Sequence, residues 1–158
     1  MPRCFIILIV ATVAIAAVAS AQDCLEYGEP LRVLPPGDAI EHPYGVAGSG
    51  HVVFVAAGPD GLLVYEIPTV GDLVRRAELA LHGVAYDVDL RGNHLRIAGG
   101  TAGLHVVDVA DPFVPQSVVT LPVPGAEIRE VFLAGDEAYL LGSNWNCEGQ
   151  ASDLVRVN

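Results

Sequence analysis

The stretch "AGLHVVDVADPFVPQSVV" (102–119) decides how this chain reads. Two runs of alternating apolar residues flank a corner at Asp111-Pro112. Alternation with period two marks a strand, because successive side chains point to opposite faces of a sheet. Asp bonds its own downstream backbone, and Pro fixes φ and cannot donate to a ladder, so the chain turns between the runs. Working outward toward the N-terminus, "HLRIA" (94–98) and "YDVDL" (86–90) are two further strands. The breaks between them hold Gly92-Asn93 and Gly99-Gly100, which tolerate positive φ. The quoted stretch is therefore the third strand, the corner and the fourth strand, "SVVTLPV" (117–123), of one unit. After residue 21 no stretch sustains helical spacing with caps, so the expected fold class is all-β.

The unit repeats. Shifted by 42 residues, "YGVAGSGHVVFVAAGPDGLLVYEI" (44–67) falls on "YDVDLRGNHLRIAGGTAGLHVVDV" (86–109) with eight identities, among them Gly50/Gly92, Gly58/Gly100 and Gly61/Gly103. Shifted by 43, "VFLAGDEAYLLG" (131–142) falls on "VDLRGNHLRIAG" (88–99). The match breaks at "SNWNCEGQAS" (143–152), read as an insertion, and resumes in "DLVRVN". Matching glycines carry the repeat, since chance aligns valines far more readily than turns. A four-stranded antiparallel unit of 40-odd residues has the length and strand content of a propeller blade.

The residues "GLHVVDVADPFVP" (103–115) resemble the LVIVD-repeat proteins, whose units carry a Gly-Leu strand followed by an Asp-Pro corner. The first unit keeps the strand "GLLVYEI" but has Pro68-Thr69 at the corner, and the third keeps only "DLVRV". The resemblance implies an exported or surface-exposed β-propeller and brings no catalytic residue with it. The chain then divides into a signal peptide (1–21), an N-terminal segment with a lone outer strand (22–43) and propeller repeats over 44–157 (44–83, 86–125 and 128–157). That is about three blades' worth, a partial propeller.

The signal peptide is read from its residues. "MPRC" carries one Arg, an apolar run extends from Phe5 to Val18, and "ASA" ends at Ala21 before polar "QDC". The run is short of the roughly 20 residues that a spanning helix needs. The remaining domain has no lysine, and its seven arginines against nineteen Asp and Glu leave a formal charge of −12 with His neutral. Such a surface repels phosphate backbones and anionic membranes, which argues against nucleic-acid and membrane partners. The expected location is secreted, periplasmic or at the cell surface. Cys24 and Cys147 remain after cleavage. The strand order puts them on opposite faces of the repeat array, so no bond between them is expected within one subunit.

No chemistry stands out. The five histidines (His42, His51, His82, His94 and His105) match no equivalent positions under the repeat alignment, and are read as surface or turn residues. His42 and His82 both precede a first strand and could share a face with Glu41 and Asp87. The acids of "GPDG" (58–61), "DVADP" (108–112) and "AGDE" (134–137) sit in turns without the alternating spacing of a calcium loop. Asp111 is better read as a turn residue accepting backbone hydrogen bonds. No Ser occupies a nucleophile elbow, and "AGGTAG" (98–103) lacks the helix and Lys of a phosphate loop. Neither a cofactor nor a metal is expected.

One loop remains. "SNWNCEGQ" (143–150) carries the only Trp of the chain, and Asn144, Trp145 and Asn146 form the candidate binding site. The expected function is that of an exported, non-enzymatic propeller module for binding or scaffolding. A truncated copy of a longer propeller without independent function is the alternative, and a secreted hydrolase with acids on one face comes third. "EPLRVLPPG" (29–37) resembles the fourth-strand segment "PQSVVTLPVPG" (115–125), whereas the last unit stops after its third strand. The expected partner is therefore a second copy, two chains closing a six-bladed ring in which the Leu31–Leu34 strand completes the last blade of the other. Another exported or surface protein is the second possibility.

Overall fold

Strand-forming and turn-forming residues alternate along the chain, and the regular elements among the described residues are all strands. The computed structural model describes residues 39–143 and the backbone of 153–157. All of them belong to one compact unit, Val33–Asn158. The lone strand at 31–34, the signal segment, Cys24 and Cys147 lie outside the described residues. Among the described residues, eleven strands form three antiparallel sheets. Sheet 1 runs β1 (Gly45–Ser49), β2 (Val52–Ala56), β3 (Leu62–Glu66), β4 (Val74–Leu79). Sheet 2 runs β5 (Asp87–Arg91), β6 (His94–Ala98), β7 (Leu104–Asp108), β8 (Gln116–Leu121). Sheet 3 has β9 (Glu127–Ala134), β10 (Glu137–Ser143) and β11 (Asp153–Val157) in that order. Among the described residues there is no helix, and so none long and apolar enough to cross a membrane.

The repeat extends to details of pairing. A bulge interrupts β3–β4 between Val64 and Tyr65, and another interrupts β7–β8 between Val106 and Val107, the same place 42 residues on. Two-way backbone bridges tie Gly58 to Ala85 and Gly100 to Ile128, linking sheet 1 to sheet 2 and sheet 2 to sheet 3. Asp111 Oδ1 accepts the Phe113 N–H at 3.0 Å, and Asp108 Oδ1 accepts that of Ala110 at 2.8 Å, so both acids hold the corner as Asx turns.

The Gly-Leu signature also has a cause. Gly61 and Gly103 have φ of +78° and +94°, and each lies against the end of the fourth strand of its sheet. A Cβ on Gly103 would strike the Leu121 carbonyl oxygen and meet Pro122 Cα at 3.0 Å. In sheet 3 the equivalent position is Asp153, and no fourth strand is paired with β11 among the described residues.

The sheets pack face on face. Here the front of a sheet is the face toward the next one. Val52, Phe54, Ala56, Leu62 and Val64 on the front of sheet 1 meet Val88, Leu95, Ile97 and Val107 on the back of sheet 2. Ala98 and Leu104 on the front of sheet 2 meet Ile128, Val131, Ala138 and Leu140 on the back of sheet 3. Sheet 2 is therefore covered on both faces. Leu104 and Val106 face the front and His105 and Val107 the back, as period two expects, and all four are buried. Period two tells which residues share a face, but a strand between two sheets has no solvent side.

Candidate functional site

The sequence candidates Asn144, Trp145 and Asn146 lie outside the described residues, so the structure gives them no neighbours. Sheet 3 carries a different surface. Its back face is packed on sheet 2, whereas its front face is open. Phe132 on β9 is 65 % exposed and Leu141 on β10 38 %. They share with Glu130, Ala134 and Tyr139 an open groove of about 640 Å³, which also reaches Asp87. At the equivalent positions the front of sheet 2 has Asp89 for Phe132 and Ala98 for Leu141. This is an apolar surface where the fold elsewhere places another sheet. The repeat alignment carried the signal, since the third unit has Phe where the second has Asp.

The face is held in place by acids. Asp87 Oδ2 accepts the Val131 N–H at 3.0 Å, and Asp89 Oδ2 accepts that of Leu133 at 2.8 Å. Both carboxylates of β5 thus satisfy edge donors of β9, which would otherwise be free for strand addition. Beside them, Tyr44, Tyr86 and Arg129 occupy one position in successive repeats. The two rings are 5.2 Å apart and tilted by 59°, and the Arg129 guanidinium lies 4.8 Å from the Tyr86 centroid. Tyr86 donates to Glu127 Oε1 at 3.1 Å, and Arg129 pairs with the same oxygen at 2.8 Å. Burial first, then the Glu127 carboxylate, raises the Tyr86 phenol above its ordinary value. These acids hold sheets together.

The histidines divide. Among the described residues no group of three or more His, Cys, Asp and Glu comes together as a metal site. His42 lies against Gly58, and Asp87 accepts the Val131 N–H of β9. His105 corrects the reading of surface or turn histidines, for it is 1 % exposed. Its Nε2–H donates to the His82 carbonyl oxygen at 2.9 Å, and Nδ1 then accepts from Thr120 Oγ1 at 2.9 Å. The sequence hid this because His105 replaces Leu63 of the first unit in an otherwise apolar strand.

Burial lowers the His105 pKa below the ordinary 6.5, partly offset by the bond to His82. The folded ring resists a proton that the unfolded one takes. Its contribution is complete above pH 6.5 and is lost as pH falls from there through the lowered folded value. Denaturant unfolding at pH 7 and pH 5.5 should show wild type losing more stability than His105→Leu, by up to about 1.4 kcal/mol per pH unit. Equal losses would contradict a buried neutral ring.

No protein-family model matches the chain, and no curated protein matches it.

Proposed function

We propose that this chain is an exported, non-enzymatic binding module of β-propeller type, and that the front face of sheet 3 is its docking surface. The observation that carries the reading is the contrast between fronts. Those of sheets 1 and 2 are covered by the back of the following sheet, while that of sheet 3 presents Phe132 and Leu141 to solvent. Exposed apolar faces rimmed by polar groups mark interaction sites. The surface that fits this face is another sheet of the same repeat, and a second copy of the chain is the source of one. The lone strand at Leu31–Leu34 of that copy would pair beside β11, giving sheet 3 its fourth strand and two chains a six-bladed ring.

One observation favours the second reading, a partner of different sequence. Leu63 and Tyr65 on the back of sheet 1 are 3 % and 1 % exposed, so ring closure has to reopen a buried face. An exported protein offering its own apolar sheet face meets no such cost at sheet 3. Charge on the docking face tests both. Phe132→Asp is expected to weaken association at least 100-fold, since it places a carboxylate in a desolvated contact. Light scattering reads this for the self-association of residues 22–158, and co-purification from the extracellular fraction reads it for a foreign partner. A variant that associates like wild type in both would remove the face from the account.

A further inference from the structure

Between sheets 2 and 3 lies a pocket of about 130 Å³, separate from the docking face. Its apolar walls include Leu104, Val106 and Leu121 from sheet 2 and Leu133 from sheet 3. Arg96 of β6 enters it. The side-chain nitrogen Nη1 is buried and has no hydrogen-bond partner. Arg75, Arg76, Arg91 and Arg129 each pair with a carboxylate, whereas Arg96 pairs with none among the described residues. Asp89 stands directly across the strand pair from it. Its two oxygens are engaged by the N–H groups of Leu90 and Leu133. A guanidinium nitrogen held out of water without an acceptor is costly.

The repeat makes this arginine an exception. The same position in sheet 1 is Phe54, which fills the core between sheets 1 and 2, and in sheet 3 it is Tyr139. The fold thus accepts an aromatic side chain where Arg96 stands, so packing does not call for a cation. At the mouth, Arg91 is neutralised by Asp136 at 3.0 Å, and Glu137 adds negative charge that discourages multiply charged anions. The guanidinium fork matches a carboxylate in two parallel hydrogen bonds. The volume is close to that of an apolar cavity that holds one benzene-sized molecule.

We infer that the pocket between sheets 2 and 3 is a binding site for a small monocarboxylate, its carboxylate paired with Arg96 and its short hydrocarbon tail lying among Leu104, Val106, Leu121 and Leu133. Butyrate is the probe, with chloride and inorganic phosphate as the comparison arms, added to the full chain. Calorimetry should detect butyrate binding, and butyrate should raise the melting temperature while the inorganic anions do not. Arg96→Met should weaken butyrate binding by about 10- to 100-fold. The same variant should melt above wild type without ligand, because it removes a buried nitrogen that has no hydrogen-bond partner. Arg96→Lys, which keeps the charge and loses the fork, should bind with intermediate affinity. Absence of butyrate binding by wild type would overturn the site, as would equal shifts with chloride or phosphate. Undiminished binding by Arg96→Met, or a loss of stability in that variant, would overturn it as well.

Discussion

Gly103→Val is expected to destabilise the chain by about 3–5 kcal/mol. Gly103 sits at φ +94°, in the left-handed region that costs an L-residue about 1–2 kcal/mol, more for a β-branched one. Its Cβ would also meet backbone, at the Leu121 carbonyl and Pro122 Cα, which cannot swing aside as a side-chain tip can. The control is Gly135→Ala in the turn between β9 and β10. Gly135 has φ +60° but nothing within 4 Å of an added Cβ, so only the backbone term remains, about 1 kcal/mol. Urea unfolding of both variants checks the difference. Similar losses would mean that the end of β8 is not pressed against this turn.

The Asp87→Ala, Asp89→Ala double variant is the second large effect, expected at about 3–5 kcal/mol, given about 1.5–3 for each charge-assisted hydrogen bond. Both carboxylates reach from sheet 2 to backbone donors of β9, so their loss acts on sheet 3. Amide exchange should accelerate first at Val131 and Leu133, while the amides of β2 and β3 keep their protection. Asp87→Asn retains an acceptor and should lose the smaller part. Uniform acceleration over all three sheets would contradict a local tie.

Much of the fold was legible in 102–119 and its repeat. The four strands read from the second unit lie within one or two residues of β5 to β8. Asp111 forms the expected turn bond. Local chemistry wrote these features, since Gly, Asn, Asp and Pro act on their own neighbours. What lay beyond reading depended on distant packing. His105 read as a surface or turn histidine, and only the packing of sheet 1 on the back of sheet 2 makes its face interior. The functional site followed the same division. A Trp in an inserted loop drew attention by its rarity, whereas Phe132 and Arg96 are ordinary residues made notable by their place in the repeat. Their signal was available as departures from equivalent positions, Phe132 for Asp89 and Arg96 for Phe54.

Sedimentation equilibrium on residues 22–158 decides whether a second copy completes the front of sheet 3. Fitted from submicromolar to 100 micromolar concentrations, this segment should follow a monomer–dimer equilibrium with the dimer dominant at the upper end. Phe132→Asp should remain monomeric throughout while keeping the wild-type circular dichroism spectrum. A wild-type chain that stays monomeric and folded over the same range would contradict the two-copy account.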